Sequence, residues 1–156
     1  MKPAVNIFWF RRDVRLHDNA GLYRALKSDL PVLPVFIFDR NILDLLDNKK
    51  DARFEFIHRA LNVLTKELAR HGSSLEAYDG KPPDVFASLT EKYSVQRIFV
   101  NEDYEPYARA RDAAVEKMLL AKSISFHTSK DQVIFFQTGS VERRWTSLYR
   151  FYTIQQ

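Results

Sequence analysis

"NIFWFRRDVRLHDNAGL", residues 6–22, decides the fold. The apolar run from Ile7 to Phe10 has the composition of a strand covered on both faces, and it stops at Arg11, Arg12 and Asp13. A helical pattern starts after Asn19 and puts Leu22, Ala25 and Leu26 on one face. Asp18 or Asn19 can cap that helix. Strand, charged turn and helix in succession form the first half of a parallel crossover unit.

The same alternation continues outward from this stretch. "VLPVFIF", "SLEAYD", "QRIFVN" and "SISFHT" read as further strands after "VNIFWF". Between them, "DARFEFIHRALNVLTKELARHG" spaces Phe54, Ile57, Leu61, Leu64 and Leu68 by threes and fours before a glycine stop, with Asp51 as its candidate cap. "PPDVFASLTEKY" opens on prolines suited to a first helical turn, and "YARARDAAVEKMLLAK" repeats the helical pattern. The expected fold is therefore α/β: a doubly wound, mostly parallel five-stranded sheet with helices on both faces, Rossmann-like. Ligands of such sheets lie at the carboxyl ends of the strands, near the switch in strand order. "RRD", "FDR" and "NEDYEP" all fall at that rim.

Composition narrows the function classes. A chain of 156 residues suits one ordinary domain, and 46% hydrophobic residues with twelve Phe describe a packed core. With no cysteine, disulfides and thiolate metal sites are excluded, and the four histidines show no metal-ligand spacing. The N-terminal apolar run is too short for a signal peptide and no stretch approaches spanning length, so the expectation is a cytoplasmic protein without membrane contact. The formal charge of +4 is spread among interspersed signs and argues only weakly for an anionic partner. Neither G-x-G-x-x-G nor a P-loop is present, so a ligand must be held by side chains and helix N-termini.

Two readings stand for the charged rim. Arg11, Arg12, Asp13 and Arg15 form either a structural cluster that satisfies carbonyls at the sheet edge or a docking and anion site. His17 reads as a packed residue rather than a catalyst. Asp39 directly follows an inner strand, which favours a site residue, whereas Phe36 and Phe38 alternate on that strand as core residues would. In "NEDYEPYARARD", Glu102, Asp103 and Glu105 precede a helix, where acidic groups favour its positive end, and Arg109 and Arg111 can pair along the helix. No Ser/His/Asp set, Cys/His pair or acid–base pair is visible. The rim reads as a binding site.

Taken together and in this order, "WFRRDVRLHDNAGL", "PVFIFD", "ARFEFIHRAL" and "VNEDYEPYARARD" resemble the N-terminal α/β domain of the photolyase and cryptochrome family, over about residues 4 to 136. The resemblance implies a domain that holds an antenna chromophore and passes excitation to FAD in a separate helical domain, where full-length photolyases repair pyrimidine dimers in DNA. It carries cofactor contact over to Arg11, Phe38, Asp39, Arg53, Asp103 and Glu105. Family members that bind folate use an Asn-Glu pair where this chain has Tyr107 and Ala108, so a deazaflavin or flavin is favoured over folate, and the site can also stand empty. "RRDVRLHDN" is expected to dock the helical domain beside the DNA groove. Without that FAD domain the chain is expected to repair nothing alone. A cryptochrome-type photoreceptor domain and a stand-alone nucleotide or flavin carrier are the alternatives; a flavodoxin would need a Ser/Thr/Gly-rich phosphate loop after the first strand.

The division expected is 1–136 for the α/β domain and 137–156 for a tail outside the family pattern. Reading the codons one base later forces a glycine across Trp145 and Thr146 and allows a family-like "GHPYTVFIPY" to follow. A frameshift near Phe135 and Phe136 is therefore the expectation. As an in-frame helix, the tail would align Trp145, Leu148 and Tyr152, and its aromatics are expected to pack on this domain or a neighbouring chain.

Overall fold

The five apolar runs pair as a single sheet in the computed structural model, which describes residues 1–44 and 52–131. The strands are β1 (Ala4–Phe10), β2 (Val32–Asp39), β3 (Glu76–Gly80), β4 (Ser94–Asn101) and β5 (Ser125–Ser129). Their order is β3-β2-β1-β4-β5 and every pairing is parallel. The helices are α1 (Ala20–Leu26), α2 (Arg40–Leu43), α3 (Ala52–Arg70), α4 (Pro82–Lys92) and α5 (Pro106–Leu120). The chain runs outward from β1 through β2 to β3, then crosses back to place β4 on the other side of β1. The crevice of this switch opens between the loops that follow β1 and β4.

Period-two alternation along β1 divides the core. Val5, Ile7 and Trp9 pack with Val85, Phe86 and Leu89 of α4 and Val115 and Leu119 of α5. Phe8 and Phe10 point the other way, to Leu22 and Ala25 of α1 and Leu61, Leu64 and Leu68 of α3. Burying a side chain such as Ile7 or Phe8 completely contributes about 1.5–3 kcal/mol. A central strand covered on both sides therefore fixes its own register, because a one-residue slip would exchange both faces.

Helix boundaries follow local chemistry. Asn19 caps α1, its side-chain oxygen accepting from Leu22 N at 3.0 Å. Gly72, at φ 71°, ends α3 in the left-handed turn that glycine tolerates, with Ser73 N donating to Leu68 O at 2.9 Å. Pro82 starts α4. Two expectations are corrected: His17 is exposed rather than packed, and β2 runs directly into α2, a four-residue helix that the sequence reading does not contain. The cap expected at Asp51 lies outside the described residues, as does the packing expected for Trp145, Leu148 and Tyr152.

Candidate functional site

The "RRD" turn splits its charges between two places. Asp13 is buried; it accepts from Arg11 N at 2.8 Å and from the side-chain amide of Asn101. That amide also donates to Asn19 Oδ1 at 2.8 Å, while Asn101 Oδ1 accepts from Gly21 N at 2.8 Å. Only glycine fits at position 21 without displacing a neighbour, because a Cβ there would stand 2.7 Å from Asn101 Oδ1 and 2.9 Å from the Phe8 ring. Arg15 pairs with Asp131 at 2.6 Å, and Asp131 accepts from Ala20 N. For Asp13 and Arg15, then, the structural reading of the cluster holds. Together these bonds tie the end of β4 to the start of α1.

Arg11 turns the opposite way, towards α5. Its guanidinium meets both Asp112 oxygens at 2.7 and 2.6 Å and also donates to the Asn101 carbonyl. Arg111 donates to the same Asp112 carboxylate at 3.1 Å and lies 3.8 Å from Asp39. Both arginine side chains are only 7% exposed. Their guanidinium carbons stand 5.0 and 4.9 Å from the centroid of the Trp9 ring, and Arg111 is also 5.8 Å from that of Tyr107. Tyr107 donates to Asp39 Oδ2 at 2.7 Å, and Asp39 Oδ1 accepts from Asn41 N to cap α2. Burial, then the bond to Asp39, raises the Tyr107 phenol above its ordinary pKa.

The acidic turn lies directly before α5, as expected, and also binds across the rim. Glu105 occupies the N-cap position, yet its side chain makes no cap bond; it pairs with Arg12 at 2.5 Å. Asp103 takes the capping role for the turn, accepting from Glu105 N at 3.2 Å, and stands 3.7 Å from Arg12. The Glu105 hydrogen bond, outweighing burial, raises the Arg12 pKa further.

A cavity of about 580 Å³ lies over the carboxyl ends of β1 and β2, between α2, α3 and the start of α5. Arg11, Phe38, Asp39, Arg53, Asp103 and Glu105 all line it. Its walls are largely apolar, from Phe38, Ile42, Leu43, Phe54 and Ile57, with charged groups among them from Arg11, Asp39, Arg53 and Arg111. Phe38 is stacked on His58 at 5.3 Å, with Phe54 edge-on to the same imidazole at 4.5 Å. Flat apolar surfaces with polar atoms among them, in a volume typical of small-molecule sites, fit a planar ring system with hydrogen-bonding edges. Among the described residues no group of three or more His, Cys, Asp or Glu is placed to hold a metal ion. Trp9, Tyr107 and Arg111 also line the cavity and are not among the residues expected to hold a ligand.

The matching family model is that of DNA photolyase, over residues 6–155, a span that takes in most of the segment after Phe136. The chain belongs to the DNA photolyase family. An uncharacterized 31.6 kDa protein from the atpI 5' region of a Synechococcus strain is 31% identical over 153 residues, covering 98% of this chain and 53% of that protein. A deoxyribodipyrimidine photo-lyase of another Synechococcus strain is 31% identical over 82% of this chain and 26% of its own length. Chicken cryptochrome-1 is 32% identical over 72% of this chain and 18% of its own. Among solved structures, the Sulfolobus tokodaii photolyase, described with two FAD molecules and an implied novel light-harvesting cofactor, aligns with TM-score 0.75 and 34% identity over 94% of this chain and 34% of its own. Against these relatives the chain spans between about half and less than a fifth of their length. A photolyase-family N-terminal domain is thus what the described residues form. None of their helices is long and apolar enough to cross a membrane.

Proposed function

We propose that this domain is the antenna module of a light-driven DNA-repair protein, holding a flavin-type chromophore in the cavity above β1 and β2. The observation that carries the proposal is the convergence of Arg11, Phe38, Asp39, Arg53, Asp103 and Glu105, far apart in sequence, on that one cavity. In this reading Phe38 meets the face of the ring, Arg53 and Asp39 address its polar edge, and the Arg12–Glu105 pair borders the mouth. The bound group absorbs light and passes the excitation on; the domain itself needs only to bind, orient and exclude water. The light-harvesting cofactor implied for the Sulfolobus relative supports an antenna role.

Flavin or deazaflavin is favoured over folate by what occupies the two diagnostic positions. The Tyr107 hydroxyl is committed to Asp39, and Ala108 is buried, so neither offers the amide and carboxylate of the Asn-Glu pair. In the whole protein the acceptor would be FAD in a helical domain and the substrate DNA carrying pyrimidine dimers, which goes with the cytoplasmic location expected from the sequence. Residues 1–156 by themselves would show no light-dependent repair, even with FAD added.

Equilibrium dialysis with FMN, FAD, a deazaflavin and a reduced folate tests the reading. Uptake of a flavin or deazaflavin, weakened by about 1–3 kcal/mol in Arg53→Ala as expected for a lost charged hydrogen bond, supports it. Uptake of folate alone, or flavin uptake unaffected in a folded Arg53→Ala variant, overturns the assignment of this pocket. Tight nucleotide binding without any chromophore would instead indicate the stand-alone carrier.

A further inference from the structure

Trp9 poses a difficulty for an antenna. It lines the cavity, although only 1% of its surface reaches solvent. Indole is among the most readily oxidised side chains, and a photo-excited flavin in contact with one takes an electron from it much faster than it emits light. An electron lost from the Trp9 indole to such a ring would leave an indole radical cation, and its return to the indole would release the excitation as heat. A site built to pass on excitation would lose most of it this way.

We infer that Arg11 and Arg111 protect the antenna by suppressing electron loss from Trp9. This rests on the chromophore reading and concerns the fate of the excitation rather than the identity of the ring. In the ground state the two guanidinium groups, 5.0 and 4.9 Å from the indole centroid, are attracted to the electron-rich ring. Once an electron has left, the ring is positive and both contacts become repulsive, at short range and in a poorly screened interior. The cations cannot swing away to relieve that repulsion. Asp112 binds both of them and Asp39 flanks Arg111, which fixes their positions; the two carboxylates balance the two cations in formal charge, so what acts on the indole is the near field of the guanidinium groups that lie against it. Trp9 itself lies edge-on to Phe86 at 5.0 Å and is buried in the core. Neither arginine is exposed enough to act as a surface charge. Both are held where their charge falls on the one oxidisable indole among the described residues.

The test uses FMN as the probe and the fluorescence lifetime of the bound ring as the readout, with uptake measured separately by dialysis. Tyr107→Phe is present throughout, so that the other oxidisable ring on the cavity does not contribute. Trp9→Phe should leave the lifetime unchanged, because the indole is already silenced. Arg111→Gln should shorten it several-fold, and Arg111→Gln with Trp9→Phe should restore it, a rescue that a merely structural role would not produce. If Arg111→Gln does not fold, Arg11→Gln carries the same expectation. A lifetime that lengthens in Trp9→Phe alone, or stays constant in the arginine variants, overturns the inference while leaving the chromophore reading intact. Absence of FMN, FAD and deazaflavin uptake by the unaltered protein overturns both.

Discussion

Two parts of one rim are built from the same turn and end differently. Over β4 and α1, Asp13, Asn19, Asn101 and the Gly21 N–H satisfy one another in a closed set of hydrogen bonds. Over β1 and β2, the polar groups line a largely apolar hollow that no side chain of the described residues fills. Charge at a strand tip is common to both, so it does not mark a site. What distinguishes the second part is unfilled apolar surface beside polar groups, which leaves something for a ligand to cover.

The comparison breaks most readily at the closed side. Asn101→Ala removes the shared partner of Asp13, Asn19 and Gly21, and should cost about 2–4 kcal/mol because buried polar groups are left unpaired. Urea denaturation measures this; a loss within error would mean that water replaces the amide at no cost. Gly21→Ala, which forces a methyl against Asn101 and Phe8, should cost about 1–3 kcal/mol through overpacking. In both folded variants FMN uptake should persist, since the hollow is untouched. On the open side, Tyr107→Phe deletes a half-exposed hydrogen bond to Asp39 and should lower stability by only about 0.5–1.5 kcal/mol.

The smallest effect is expected at β5, away from both. Burial, then Arg24 and Arg97, lower the pKa of His127, which is stacked on Phe99 at 4.9 Å. As pH falls through the ordinary histidine value of about 6.5, the unfolded chain takes up the proton first. Stability should therefore fall with pH from there until the lower folded pKa is passed, then level off. His127→Gln should flatten that part of the profile. An unchanged slope in the variant would assign it to other groups.

The sheet was legible because each inner strand is a short apolar run and each helix repeats at three and four. β5 was the least legible strand: at the sheet edge only one of its five residues is buried, so "SISFHT" carries little apolar signal. β3, the other edge strand, begins at Glu76 rather than Ser74. α2 left no signal, since four residues carry no periodicity. Within the candidate site, the six residues taken from the family resemblance do converge on the hollow. Trp9 and Arg111 were missed because their contact joins positions about a hundred apart, and nothing local to either announces it. His17 was misread because "RLHDN" has no pattern that separates a buried imidazole from an exposed one. For residues 137–156, outside the described structure, the frameshift expectation is decided by the nucleotide sequence: it fails if dropping one base near Phe135 opens no frame into a helical-domain sequence.

The strand order has a consequence for how the chain is made. β1 leaves the ribosome before its sheet partners, and its pairing with β2 needs residues only some thirty positions on, as in Asn6 with Val32. Its other edge waits for β4, where Ala4 meets Ser94 and Phe8 meets Phe99. Until β4, which ends about three quarters of the way along residues 1–131, has been synthesised, this central apolar strand has an open edge and a bare flank, the condition in which nascent chains pair with one another. A late-arriving partner for an early strand makes translation beyond Asn101, rather than collapse of the first half, the step that commits this domain to its own fold.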